Sequence, residues 1–197
     1  MRTFLLLLLL GTLPLDAPRI ASGRYETLHL AYNPATRKVT GYFEQSGGYD
    51  ENTRAPLFSC AFYLEGEVKS NAVQIKTYYP APKPEDVIGG TLRVANGTEV
   101  SVKLPQEHGG CWNVQHFADE PVPFGLTEKT DWLEIRYVTA AKAYFHADTL
   151  ESTRRKAYVV SGNVVYLDRR RGGWAYGRYY GKSVTAGWLR LDQLNPL

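Results

Sequence analysis

The sequence predicts an all-β chain built as two modules: an N-terminal antiparallel β-barrel or sandwich with one disulfide over residues 24–140, then a small barrel over 141–197. Three observations lead there. Apolar residues recur at every second position in short runs separated by Gly, Asn and Pro, the pattern of half-buried strands. No segment of the expected modules sustains a helical period of useful length. The charge also changes sign along the chain. Residues 24–141 carry eleven Lys/Arg against fifteen Asp/Glu, and residues 142–197 carry ten against four, a switch from −4 to +6 that marks two units.

The first residues read as an export leader. Arg2 precedes an apolar run from Phe4 to Leu10, and Ala21-Ser22-Gly23 offers the small-x-small step of a leader peptidase site. Residues 1–23 are therefore expected to be a cleaved signal peptide, with the mature chain starting near Arg24. Pro14, Asp16, Pro18 and Arg19 interrupt the run, well short of the roughly 20 apolar residues a bilayer span needs. No cysteine follows the run to accept a lipid. The expectation is a periplasmic or secreted protein with no membrane anchor after cleavage.

Within 24–140, Val39–Phe43 and Ala72–Tyr78 read as strands. Phe58, Cys60, Phe62 and Leu64 alternate with Ser59, Ala61 and Tyr63, so Cys60 is expected to face the core with the phenylalanines. Leu92 and Val94 before Asn96-Gly97, and Val100, Val102 and Leu104 after it, predict a hairpin whose central residues are Asn96-Gly97 with φ > 0. Trp132–Val138 reads as the closing strand of the first module. Two irregular stretches, 45–56 and 105–126, are long for a compact domain and call for a function or a tether. The chain has two cysteines, Cys60 and Cys111. In an exported chain an even count predicts a disulfide; closing a loop of this length is worth roughly 4 kcal/mol on the chain-entropy estimate.

The C-terminal stretch carries Gly162-Asn163 before Val164–Leu167, Trp174-Ala175 opening another strand, Gly187-Trp188-Leu189, and terminal Asp192-Gln193-Leu194. In these residues it resembles the bacterial SH3 family over about 55 of the 197 positions. The resemblance implies a five-stranded recruitment module of the cell envelope that binds peptide or peptidoglycan, such modules often sitting beside a wall-cutting domain.

Candidate binding residues follow from chemistry. Trp174, Tyr176, Tyr179 and Tyr180 supply rings suited to an aromatic groove, with Trp188 assigned to the core. The run Arg169, Arg170 and Arg171 is positioned either to grip acidic groups or to form a solvated hairpin tip. Trp112, Asn113, Gln115 and His116 combine an aromatic platform with amide donors and acceptors, or pack the loop through Trp112 and Phe117. The expected partner is peptidoglycan or an envelope protein or peptide. Nucleic acid is excluded by export and a net charge of only +3. No cofactor and no metal site are expected, because His108, Cys111 and His116 lack a zinc spacing. Two alternatives stand beside wall binding: a protective inhibitor of a lytic enzyme or toxin, and a cysteine peptidase acting through Cys111. The last needs a free, activated thiol.

Overall fold

The computed structural model describes residues 20–197; most of the expected leader lies outside the described residues. The first module is a meander of β1 (Gly23–Tyr25), β2 (Leu28–Asn33), β3 (Lys38–Gly47), β4 (Phe58–Glu67), β5 (Ala72–Tyr78), β6 (Ile88–Asn96), β7 (Glu99–Lys103) and β8 (Val122–Gly125). Each strand pairs antiparallel with the next. The chain leaves β8 and, after Leu126 and Thr127, enters β9 (Glu128–Lys129), which pairs with β1. Thr127 N–H donates to Arg24 O at 2.8 Å, so the two ends of the sheet meet and the expected barrel-or-sandwich resolves as a barrel.

The barrel interior is solid. Tyr25, Leu28, Leu30, Val39, Phe43, Phe62, Leu64, Leu92, Val102 and Phe117 all point inward and are buried. Phe43 stacks on Phe62 at 5.1 Å and meets Phe117 edge-on at 5.0 Å. Cys60 and Cys111 are bonded, both fully buried, with their Cα atoms 4.5 Å apart. Gly110 makes this possible: its φ of 84° turns the chain into a one-turn 3₁₀ segment at Cys111–Asn113, and a Cβ there would stand 2.2 Å from Ser59 O. The bond indicates folding in an oxidising compartment. Among the described residues no helix is long and apolar enough to cross a membrane.

The second sheet has the order β10-β13-β14-β15-β11-β12, from β10 (Glu134–Tyr137), β11 (Lys142–His146), β12 (Arg154–Val160), β13 (Val164–Arg171), β14 (Trp174–Tyr180) and β15 (Val184–Arg190). Its own core holds Val138, Ala143, Phe145, Val165, Leu167, Ala175 and Leu189. After β15 a 3₁₀ turn at Leu191–Gln193 returns the chain so that Leu194 bridges Val138.

Several expectations need correction. The strand expected to close the first module instead pairs with β13 as an edge of the second sheet; its apolar residues Ile135 and Tyr137 face the barrel's outer wall, which a closing strand would not do. Phe58 is exposed rather than buried, because β3 and β4 run on past the barrel as a ribbon. The hairpin is present, but its loop is Gly97-Thr98, and neither Asn96 nor Gly97 is left-handed. Asn96 Oδ1 accepts from Thr98 N at 2.9 Å instead. Trp188 lies half-buried on the outer sheet face, not in the core.

The residues just before the expected cut after Gly23 take part in the packing of the barrel. Ile20 is buried in the barrel core, Tyr25 Oη donates to Ala21 O at 2.9 Å, and Tyr32 N donates to Ser22 Oγ at 2.9 Å. Gly23 is small because β1 and β9 approach closely: a Cβ would meet Glu128 O at 2.2 Å. A chain beginning at Arg24 is expected to be less stable than one beginning at Ile20 by about 2 kcal/mol or more, the loss of one buried Ile side chain and its neighbours' hydrogen bonds. Urea unfolding of the two purified chains measures the difference; equal midpoints would remove these residues from the fold's energetics.

The modules are pinned by a buried charge cluster. Glu134, 3% exposed, accepts from Arg136 Nε at 3.1 Å, from Arg170, and from Asn33 Nδ2 at 3.3 Å. Arg136 also donates to Asn195 O. Such clusters add little net stability, but removing one member strands a buried charge. Glu134→Ala should therefore cost about 3–5 kcal/mol, read from the same urea transition. A loss below about 1 kcal/mol would mean that Arg136 reaches water.

Candidate functional site

A single cross-strand row builds the site. In register across β1 to β5, Arg24 faces His29, His29 faces Tyr42, Tyr42 faces Tyr63, and Tyr63 faces Tyr78. Strand alternation puts all five on the outer wall of the barrel. The second module covers one end of the row: Tyr63 and Tyr78 pack with Trp132, Ile135, Tyr137 and Tyr166. Tyr63 Oη donates to Ile135 O at 3.0 Å and Ile135 N donates to Thr40 Oγ1 at 2.7 Å. The other end, Arg24, His29 and Tyr42, stays partly open: Tyr166 and Trp132 reach His29, and all three residues are half-buried.

The open end forms one wall of a cleft of about 730 Å³ between the modules, within the range of small-molecule sites. Tyr79-Pro80-Ala81-Pro82 and Glu44 complete the barrel side. Tyr166, Tyr179, Tyr180 and the turn Ser161-Gly162-Asn163 form the opposite side. The Arg24 guanidinium lies 4.8 Å from the Tyr180 ring centre and 5.8 Å from that of Trp132. Its Nε is paired with Glu128 at 3.0 Å.

The hydrogen bonds here have a forced direction. Arg24 Nη1 lies 3.4 Å from His29 Nε2, and a guanidinium can only donate. Nε2 therefore accepts, and the ring proton sits on Nδ1. Nδ1 lies 2.6 Å from Tyr166 Oη, so it donates to that oxygen. The Tyr166 proton must then point away from His29. Burial, and secondly the Arg24 charge, pull the His29 pKa down to about 4, which keeps the ring neutral at physiological pH. Burial holds the Tyr166 phenol above its ordinary value. Burial and the nearby Glu44 carboxylate do the same for Tyr42. The cleft thus presents the Arg24 cation, a neutral imidazole and, at its mouth, the Glu44 carboxylate among its tyrosine rings.

The sequence-selected residues fall into separate places. Tyr179 and Tyr180 line the cleft. Tyr176 is on the outer face of the second sheet, edge-on to Trp188 at 5.6 Å and beneath the Arg169 guanidinium at 4.4 Å. Trp174 is on that face too, 4.7 Å from the His146 ring and beside Arg190. Arg169 pairs with Asp168, Arg170 with Glu134 and Arg171 with Asp148. Each arginine of the run thus has a carboxylate neighbour, the buried Glu134 for Arg170, while Arg169 and Arg171 stay largely exposed.

Trp112 is 59% exposed and stacks edge-on with His116 at 5.8 Å; His116 faces Asp119 at 3.6 Å. Asn113 is exposed and Gln115 half-buried in the same loop. Phe117 is buried and Trp112 is not, so only one of the two aromatics packs the loop. Cys111 is disulfide-bonded and buried, so it has no thiol to act as a nucleophile. Among the described residues no group of three His, Cys, Asp or Glu could hold a metal ion. His108 is buried in the barrel wall, 2.7 Å from Thr77 Oγ1 and stacked on Phe62.

Sequence reasoning missed Arg24, His29, Tyr42, Tyr79 and Tyr166. The available signal was a polar or aromatic residue at the outward position of consecutive strands, meaningful only once register is known.

No protein-family model, curated protein or solved structure matches the chain. Chemistry alone carries the reading of the site.

His29 should titrate near pH 4 by heteronuclear NMR, with the proton on Nδ1 above that pH. Its folded pKa lies below the ordinary 6.5, so the unfolded chain binds more protons between those values. Stability is then complete above about pH 6.5 and falls on acidification toward pH 4, by at most about 3 kcal/mol from this group. Burial shifts His108 in the same direction and adds to the loss. A His29 midpoint near 6.5 would refute the buried, Arg-facing geometry.

Proposed function

We propose that this is an exported, non-enzymatic binding protein of the cell envelope that takes a polar wall ligand in the cleft between its two modules. The observation that carries this reading is the cleft itself: five tyrosines and two prolines supply ring and apolar faces, and a small set of polar groups converges between them. That composition suits a ligand with alternating apolar and hydrogen-bonding faces, such as a peptide or glycan segment of peptidoglycan. The disulfide supports a periplasmic or secreted setting. The likeness of residues 141–197 to the bacterial SH3 family supports the same class of partner.

Both sides of the cleft are involved, so ligand binding would also hold the modules together. Tyr79 and Tyr180 are 65% and 37% exposed at its rim, and neither anchors a core. Tyr79→Ala and Tyr180→Ala should each weaken retention on purified peptidoglycan about tenfold, the worth of one lost ring contact, without changing the melting temperature. Full retention by the double variant would move the ligand elsewhere.

A second reading, inhibition of a lytic enzyme or toxin, is favoured by one observation. Tyr49, Leu57, Phe58 and Trp112 are exposed at 62%, 55%, 40% and 59% around the end of the β3–β4 ribbon. Gly47 pairs with Phe58 and approaches Asn113 O, and Gly48 abuts Leu57. In that case Trp112→Ala and Leu57→Ala abolish a protein complex while leaving wall retention intact.

A further inference from the structure

The forced hydrogen-bond direction in the cleft selects a ligand chemistry. Tyr166 is 5% exposed, and its oxygen already receives the His29 proton. Among the described residues, His29 is the one hydrogen-bond partner of that hydroxyl, so its own proton is left without an acceptor in the protein. A buried donor in this position costs free energy until something accepts from it. The cleft therefore holds a donor at its base that awaits a ligand oxygen.

The remaining charges say what kind of oxygen. Arg24, the cation of the cleft, is engaged by Glu128, His29 and the Tyr180 ring. Glu44 stands exposed at the mouth, close enough to act on both Tyr42 and Tyr166. A carboxylate ligand would meet the Glu44 charge with no free cation to offset it. A neutral carbonyl oxygen avoids that conflict. An amide offers more, since its C=O accepts from Tyr166 and its N–H donates to the Glu44 carboxylate. The rings of Tyr179 and Tyr180 then cover the apolar faces of the group that carries the amide.

We propose that the cleft recognises an N-acetylated sugar through its acetamido group, with the Tyr166 hydroxyl donating to the carbonyl and Glu44 accepting from the N–H. A saccharide is preferred to a peptide because the cleft has two facing aromatic sides and no exposed strand edge along it. Among the cleft-lining segments, β2, β3, β13 and β14 are each paired on both sides, so no backbone row is open for strand addition. This inference rests on the cleft being the ligand site.

The test is calorimetric titration of the full chain with three uncharged probes: an N-acetylglucosamine tetramer, a glucose tetramer, and an N-acetylated tetra-alanine amide. The acetylated sugar should bind about tenfold or more tightly than the glucose oligomer. Tyr166→Phe and Glu44→Ala should each bring that ratio toward one. Glu44 is exposed, so its variant keeps the question open to refutation even where Tyr166→Phe lowers the melting temperature. Equal binding of the two sugars, or an unchanged ratio in Glu44→Ala, overturns the acetamido assignment while loss of peptidoglycan retention in Tyr180→Ala still upholds the cleft. Binding of the peptide alone overturns the sugar. If Tyr180→Ala and Tyr166→Phe leave peptidoglycan retention unchanged, both the acetamido assignment and the cleft reading fall.

Discussion

Tyr63 stands on the outward side of β4, where a strand of a free barrel would meet water, and it is fully buried. Its ring packs on Tyr78 and Tyr137, and its hydroxyl donates to Ile135 O. This contact joins the two modules. Covering the tyrosines removes apolar ring surface from water, while the hydroxyl keeps a partner, so the burial carries no orphaned polar group. Thr40 and Asn33 provide the neighbouring polar contacts, to Ile135 N and Glu134. The cleft lies along the same cross-strand row where the second module covers it only in part, through Tyr166 and Tyr180.

That arrangement explains how a filled barrel can still offer a site. Barrels of this size hold a ligand inside only where side chains leave room. Here Phe43, Phe62, Phe117 and Phe124 close the interior. A concavity forms only on the outer wall, where a second surface is needed to enclose it. The second sheet supplies it with Tyr166 and Tyr180, edge-on to one another at 5.0 Å. The buried Glu134–Arg136–Arg170 cluster joins β10 to β13 and, through Asn33, to the barrel.

The disulfide serves a different part of the molecule. It ties the 3₁₀ turn at Cys111–Asn113 to β4 and so holds the exposed Trp112 over the end of the β3–β4 ribbon. Four exposed apolar side chains, Tyr49, Leu57, Phe58 and Trp112, gather there on a segment kept in place by a covalent bond. The cleft and the ribbon end are thus two surfaces of different character. One is polar and ring-lined, and the other exposes apolar side chains.

Local pattern was enough for much of this protein. Alternation placed Cys60, Phe62 and Leu64 inside, and two cysteines in a chain that opens with a leader-like run foretold their bond, because strand facing and chain closure are properties of neighbouring residues. The chain forms two sheets, each with a core cluster of its own. The module boundary, the burial of Tyr63 and the site itself were not legible. Glu134–Tyr137 reads the same whether it closes one sheet or edges another, and partner choice depends on residues far along the chain. Arg24, His29 and Tyr42 come from three strands, and Tyr166 lies 137 positions from His29. Sequence alone determined which faces are apolar, since side-chain direction alternates with each residue. Only the tertiary structure decided which outward faces are covered and which meet across a cleft, since that depends on register and on how one module docks against the other.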